Sequence, residues 1–122
     1  MLFFQTTYTK SQIREIFSAG KECMRTLNIP LQSDIIERVL FNRSVVKDEE
    51  TLKYMECASK KMGWIDNEGK LVIPPMIEYF SRNALQKYVE EVLEQCKIFY
   101  EDANAGEKMF NYHQCYFENK KF

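Results

Sequence analysis

Four cysteines carry the most distinctive chemistry of this 122-residue chain: Cys23, Cys57, Cys96 and Cys115. They are separated by 33, 38 and 18 residues, so no pair forms the Cys-x-x-Cys unit typical of structural zinc sites and thioredoxin-like redox centres. The spacing therefore predicts neither a metal site nor a redox centre. An even number of widely spaced cysteines fits a secreted, disulfide-bonded domain, and the alternative is a set of buried thiols in a cytosolic protein. Four cysteines allow three pairings, and spacing alone does not choose among them.

Catalytic chemistry has little support in the sequence. The chain has a single histidine, His113, and no Ser-His-Asp or His-Glu-x-x-His arrangement is recognisable. We therefore predict that the protein is not an enzyme and uses no cofactor. His113 is expected to be a surface or partly buried helical residue, with a pH switch as the functional alternative because histidine titrates near neutrality. The sequon Asn42-Arg43-Ser44 is interpreted as a chance match to a glycosylation motif.

Length and composition indicate one domain, residues 1–122, with enough apolar material for a core and a cavity: 45% of the residues are hydrophobic and 29% are charged. The formal net charge is −1 and the basic residues are scattered, which argues against nucleic acid as a partner. No apolar run approaches 18 residues, so no membrane span is predicted. Met1-Leu2-Phe3-Phe4 is too short for the apolar region of a signal peptide, so a secreted form would be the mature chain.

Hydrophobic periodicity predicts helices along most of the chain, and no stretch alternates with period two. A capping box of Thr9 and Gln12 opens the first helix, which ends at Asn28-Ile29-Pro30. Its predicted apolar stripe is Ile13, Ile16, Phe17, Cys23, Met24 and Leu27. Asp34 with Glu37 is expected to cap a short second helix.

Later helices are predicted from caps, prolines and one long apolar stripe. The third begins at Asp48-Glu49-Glu50 and stops at Gly63, and Pro74-Pro75 suits the first turn of the fourth. A sixth helix begins at Asn104, with Glu107 as its capping partner, and ends near Asn119. The fifth is predicted as one unbroken helix with the stripe Leu85, Tyr88, Val89, Val92, Leu93, Cys96, Phe99 and Tyr100. Helices without heptad regularity should pack at varied angles around a shared interior.

Several segments carry a resemblance to a known family. Thirty-eight residues lie between Cys57 and Cys96, and Cys23-Met24 precedes Leu27-Asn28-Ile29-Pro30. Tyr54-Met55-Glu56-Cys57 runs into the segment Met62-Gly63-Trp64-Ile65-Asp66-Asn67-Glu68-Gly69-Lys70-Leu71. In these features the chain resembles the insect odorant-binding proteins, the PBP/GOBP family, and specifically their four-cysteine or "minus-C" branch.

The resemblance implies an all-α fold of six helices around an internal hydrophobic cavity. It also implies two disulfides, Cys23–Cys57 and Cys96–Cys115. The six-cysteine members have two further cysteines, which would lie near Lys53 and near Ala105 or Gly106 in this chain. Because these positions are not cysteine, side-chain packing alone would hold the third and sixth helices together, and the pocket would be more adaptable.

The implied function is an extracellular carrier of small hydrophobic molecules in sensillar lymph, haemolymph or another secretion. Aromatic and methionine residues are the main basis for a pocket, although packing alone explains most of them. Helix faces and the offsets from the cysteines select a set of ligand-binding candidates, with Phe122 as a lid. The others are Ile16, Met55, Trp64, Ile65, Met76, Phe80, Val89, Val92, Leu93, Tyr112 and Tyr116.

Two alternatives differ in the partner. One is a salivary D7-like scavenger of biogenic amines or lipids. Its amine ligands would need carboxylates facing the cavity, whereas Glu90, Glu91 and Glu94 map to the outer face of the fifth helix. A protein-interaction module would present an exposed apolar patch, for which Phe3, Phe4 and Tyr8 are candidates. An odorant receptor or a second copy of the chain could be the partner of such a surface.

Overall fold

The computed structural model describes residues 7–101 and 104–122, and the fold within these ranges is all-helical. A short 3₁₀ turn, Cys96–Phe99, follows the fifth helix. The six helices are α1 (Lys10–Thr26), α2 (Ile35–Phe41), α3 (Glu49–Lys61), α4 (Ile73–Phe80), α5 (Gln86–Gln95) and α6 (Ala105–Asn119). The described ranges contain no β-strand, only an isolated antiparallel bridge between Ile65 and Leu71. The predicted six-helix, all-α fold is confirmed.

Side-chain caps define the first and last helices as the sequence predicts. The Thr9 hydroxyl accepts a hydrogen bond from the Gln12 amide at 3.1 Å, and the Thr9 amide donates to the Gln12 side chain at 2.7 Å. At α6 the Asn104 side chain accepts from the Glu107 amide at 3.0 Å. Each bond satisfies a backbone donor that the first turn of a helix leaves unpaired.

The second helix begins where expected but is capped differently. The Asp34 carboxylate makes no capping bond and instead accepts from Nε of Arg38 at 2.8 Å, one turn later. The Ser33 hydroxyl accepts from the Ile35 amide at 3.3 Å. The predicted Asp34 cap is therefore wrong, because an arginine at i+4 competes for the same carboxylate.

Two parts of the predicted apolar stripes are wrong. The fifth helix is not unbroken to Tyr100, since α-helical geometry ends at Gln95 and the 3.6-residue period does not continue into the 3₁₀ turn. Leu85, the first residue of that predicted stripe, and Phe99, the last but one, are 68% and 52% exposed. In α1, Ile13 is 39% exposed and Gln12 takes its place on the buried face.

Gln12 is buried because its polar atoms are paired with α4 and the residues that follow it. Its side-chain nitrogen donates to the carbonyl oxygen of Tyr79 at 2.6 Å and to Oδ1 of Asn83 at 2.7 Å. In return, the Tyr79 hydroxyl donates to the carbonyl oxygen of Gln12 at 2.8 Å. These reciprocal bonds hold the C-terminal end of α4 against the first turn of α1.

Two disulfides connect the helices in the pairing that the resemblance implied. Cys23–Cys57 links α1 to α3, with Cα atoms 5.9 Å apart. Cys96–Cys115 links the end of α5 to α6, with Cα atoms 5.7 Å apart. The expectation of two disulfides is confirmed.

The junction between α3 and α6 is closed by direct backbone approach. A Cβ atom built on Gly106 would lie 2.8 Å from the carbonyl oxygen of Leu52, closer than real side chains come. Glycine at the start of α6 therefore allows the two helices to pack at a distance that no larger residue would permit.

The core has two parts. A smaller cluster lies between α1, α2 and α3 and includes the Cys23–Cys57 bridge and Tyr54. A larger cluster includes the Cys96–Cys115 bridge and residues of all six helices. No helix of the described residues is long and apolar enough to cross a membrane.

Tyr8 contradicts the predicted exposed patch. It is only 9% exposed, and its hydroxyl donates to the carbonyl oxygen of Leu40 at 2.6 Å, so it packs inside the larger cluster. A tyrosine can be buried here because its polar end has a backbone partner. Phe3 and Phe4, the other two members of that patch, lie outside the described residues.

Candidate functional site

An internal cavity of about 60 Å³ lies between α1, α2, α3, α4 and α6. Its walls are almost entirely aliphatic and aromatic. Met109, His113 and Phe117 face it from α6 at successive spacings of four residues, which places them on one side of the helix. The full lining is Tyr8, Ile16, Ile36, Val39, Leu40, Tyr54, Met55, Ala58, Ser59, Trp64, Tyr79, Phe80, Met109, His113 and Phe117.

Four of the sequence-predicted ligand residues line this cavity: Ile16, Met55, Trp64 and Phe80. Seven others are buried in the larger core cluster but do not border the cavity: Ile65, Met76, Val89, Val92, Leu93, Tyr112 and Tyr116. Phe122, the predicted lid, packs on the core with its ring centroid 6.3 Å from that of Tyr116. Ligand contact by any of these residues stays a prediction.

Sequence reasoning missed every residue of the α2 and α6 walls. Contact of the apolar α2 residues with a cavity depends on how α2 crosses α1 and α3. The α6 wall could have been predicted from the sequence, because Met109, His113 and Phe117 repeat every four residues. His113 is partly buried, within the range of positions expected for it.

Several polar groups of the lining are already bonded to the backbone. The Tyr8 and Tyr79 hydroxyls donate to carbonyl oxygens of Leu40 and Gln12. Nε2 of His113 lies 2.8 Å from the carbonyl oxygen of Val39, so this nitrogen carries the proton when the ring is neutral. These groups bring a few polar atoms to an otherwise apolar surface without leaving them unpaired.

Trp64 differs from them because its indole Nε1 is buried and has no hydrogen-bond partner within the described residues. The ring is held in place by aromatic neighbours on α4: its centroid lies 5.3 Å from that of Tyr79 and 5.4 Å from that of Phe80. An unpaired buried donor is uncommon in folded proteins and costs about 1–3 kcal/mol. A polar atom of a ligand could supply the missing acceptor.

The cavity carries no net charge near neutral pH. Among the described residues that line it there is no Asp, Glu, Lys or Arg. Burial lowers the pKa of the His113 imidazole to about 4; the Val39 hydrogen bond raises this pKa in part, and the neighbouring charge of Lys120 lowers it by a smaller amount. Burial also raises the pKa of Tyr8, Tyr54 and Tyr79 above the ordinary value for tyrosine. Such a site is suited to an uncharged molecule.

A sequence model of the PBP/GOBP family matches residues 5–119, nearly the whole chain. The protein belongs to the PBP/GOBP family. A search of curated proteins found no match to the chain. PBP/GOBP proteins are secreted binding and carrier proteins rather than enzymes. The helical fold and the two disulfides of this member fit the family and an oxidising compartment.

In this PBP/GOBP protein the C-terminal residues cover the outer side of the α6 wall. Nζ of Lys120 lies 4.6 Å from the ring centroid of Phe117, which lines the cavity, and 5.7 Å from that of Phe122. Burial lowers the pKa of the Lys120 ammonium to about 8. Phe80 and Tyr116 stack between α4 and α6, with centroids 4.8 Å apart. An aromatic layer therefore separates the cavity from the chain terminus.

Proposed function

We propose that the protein is an extracellular carrier that reversibly binds small hydrophobic molecules, such as odorants, pheromones or fatty-acid-like compounds. The observation that supports this most directly is an internal cavity with apolar and aromatic walls inside a PBP/GOBP fold. We assign the chain to the minus-C branch of the insect odorant-binding proteins, because its four cysteines form two disulfides. No bond is made or broken in the proposed mechanism.

The driving force is dehydration of the ligand. Each square ångström of apolar surface removed from water contributes about 25 cal/mol, so even a compact terpenoid gains several kcal/mol on entry. The observed cavity, about 60 Å³, is small for this purpose. Binding therefore requires side chains to move. Met55 and Met109 are the most adaptable lining residues, because methionine has three rotatable bonds and no branching.

The described lining residues carry no charge, which favours the carrier over the D7-like amine scavenger. An ammonium ligand would need a buried carboxylate beside it, and the described lining residues include none. Glu90, Glu91 and Glu94 are exposed on α5. An odorant receptor or a second copy of the chain as partner stays a prediction.

Displacement of a fluorescent naphthylamine from the oxidised protein tests the proposal. Uncharged terpenoid and aromatic odorants should displace it at micromolar concentration, long-chain fatty acids less well, and biogenic amines least. Failure of the protein to take up the naphthylamine or any odorant would overturn the carrier proposal and redirect attention to protein partners.

A matched pair of variants locates the binding site. Ala58→Leu places a larger side chain into the cavity and should weaken odorant binding about tenfold or more, with the fold retained. Ala19→Leu makes the same change at an alanine that is also buried but borders a surface groove between α1 and the end of α3 instead of the cavity, and should bind as the parent does. Equal affinity of both variants would place the ligand elsewhere.

A further inference from the structure

We propose that the cavity selects uncharged ligands with a hydrogen-bond acceptor, such as a ketone, ester or aldehyde, and that the indole Nε1 of Trp64 donates the bond. This inference rests on the proposed carrier function and specifies the ligand class of the same site. Two buried side-chain polar atoms of the described residues have no partner, Trp64 Nε1 and Ser81 Oγ. Of the two residues, only Trp64 lines the cavity; its Nε1 is covered in this structure, so a ligand reaches this atom when the lining side chains beside it move.

The chemistry of the indole determines what it can recognise. Its N–H donates and has no lone pair available to accept, so it bonds an acceptor and cannot bond a donor. Tyr54 and Ser59 also bring hydroxyls to the lining, but a hydroxyl both donates and accepts and does not discriminate between the two kinds of ligand. Trp64 is therefore the group that sets a preference.

The position of Trp64 is fixed before a ligand arrives. The residue lies three positions after the end of α3, and its amide donates to the carbonyl oxygen of Ser59 at 2.9 Å. The Trp64 carbonyl oxygen accepts from the Val72 amide at 2.7 Å, so the backbone is held on both sides. With Tyr79 and Phe80 packed against the ring, little freedom remains to be lost when a ligand bonds to the indole.

The rest of the lining argues against charged ligands of the same size. A fatty-acid carboxylate or an amine would enter a surface on which no described lining residue carries an opposite charge. Burying an unpaired ion in this way is strongly unfavourable. A carbonyl oxygen, in contrast, needs only one donor, and the indole supplies it.

The chain contains a single tryptophan, so one indole ¹H–¹⁵N resonance and one fluorophore report on this group alone. Menthone and p-menthane share a carbon skeleton and differ by the carbonyl oxygen. Saturation with menthone should shift the indole proton downfield, and saturation with p-menthane should not. Downfield shifts of equal size with both compounds would overturn the inference. The absence of a shift with either compound, while both bind, would overturn it too.

The second measurement is the change in affinity on Trp64→Phe, which keeps an aromatic ring and removes the donor. The substitution should weaken menthone binding about fivefold or more beyond its effect on p-menthane. An equal effect on the two ligands would contradict the inference and leave the carrier function standing. Binding of neither ligand to the parent protein would contradict the carrier function itself. If Trp64→Phe does not fold, the resonance measurement on the parent protein decides.

Two charged ligands complete the test. Decanoic acid and decylamine should bind more weakly than 2-decanone, which has a chain of the same length. Tighter binding of either ion would overturn the preference for uncharged acceptors.

Discussion

Nε2 of His113 on α6 lies 2.8 Å from the carbonyl oxygen of Val39 on α2, so a single hydrogen bond joins two walls of the cavity. Nδ1 of the same ring lies 3.2 Å from the side-chain nitrogen of Gln114, which can donate to it. Both ring nitrogens therefore have partners suited to a neutral imidazole. The only histidine of the chain is a structural link in the cavity wall, and its protonation affects the folded state directly.

The pH dependence of stability follows from the His113 pKa. Burial lowers this pKa to about 4 from its ordinary value of 6.5, so between these values the unfolded chain binds more protons than the folded one. The free energy of unfolding should thus be unaffected by His113 above pH 6.5 and fall as the pH decreases toward 4, by about 3 kcal/mol at most. Urea unfolding at pH 7, 5 and 4 measures it.

His113→Gln is the control, because glutamine retains a donor for the Val39 carbonyl and does not titrate. The variant should lose less stability than the parent between pH 6.5 and 4. Parallel pH profiles of the two proteins would contradict the assignment. Since the folded imidazole stays neutral at pH 5, His113 should not change ligand affinity between pH 7 and pH 5.

Each disulfide should contribute a similar free energy to folding. The paired cysteines are 34 residues apart in one bridge and 19 in the other, and loop-closure entropy for these lengths amounts to about 3–4 kcal/mol in either case. Replacing Cys23 and Cys57 together by alanine, or Cys96 and Cys115 together, should reduce the free energy of unfolding by that amount. Guanidinium denaturation of the two double variants measures it, and a loss below about 1 kcal/mol for either would contradict the expectation.

Local patterns in the sequence predict the helices. The position of the cavity depends on contacts between residues far apart in the sequence, which local patterns do not describe. The Thr9–Gln12 capping box involves residues three apart, so its geometry follows from the chain itself. The stripe of α5 correctly identified Val89 and Leu93 as buried, but a side chain can be buried by packing against its neighbours without bordering a cavity. Which buried side chain borders empty space depends on the crossing of several helices, and no periodicity in one helix encodes that.

Two wrong predictions show that a local pattern does not determine the environment of a residue. Tyr8 was a candidate for the exposed patch of a protein-interaction module, and the partner that buries it, the Leu40 carbonyl, is 32 residues away. Leu85 fits the apolar stripe of α5 and yet precedes the helix and faces solvent. In both cases the chain path outside the helix decides the environment, which a helical pattern does not describe.

The close approach of α3 and α6 predicts a difference between two Gly→Ala substitutions. A Cβ at Gly106 would meet the Leu52 backbone at 2.8 Å, whereas one at Gly20 would meet side-chain atoms of Ile36 and Tyr54 at similar distances. Side chains can rotate away and a helix backbone cannot. Gly106→Ala should therefore destabilise by about 1–3 kcal/mol, and by more than Gly20→Ala, in which the helix preference of alanine offsets part of the cost.

Thermal unfolding of the two glycine variants gives the comparison. The resemblance to the six-cysteine members predicts that their third disulfide would fall at this junction, near Lys53 and Ala105 or Gly106. Because the backbones already touch at Gly106, a cysteine at this position should strain the junction, so a bridge from Lys53 is better attempted to Ala105. A Gly106→Ala variant as stable as the parent would show that the helices can separate without cost.

The C-terminal aromatic layer predicts a kinetic role for Phe122. Its ring packs near Tyr116 and Lys120 on the outer side of the α6 wall, where it would oppose the side-chain movements that ligand release requires. Phe122→Ala should increase the dissociation rate constant of a bound odorant several-fold and change the melting temperature little, since only a partly buried ring at the terminus is lost. Lys121→Ala, at the exposed neighbouring position, should leave the rate unchanged. Stopped-flow displacement of the fluorescent naphthylamine measures both rates. Equal dissociation rates for the two variants would show that Phe122 does not slow ligand release.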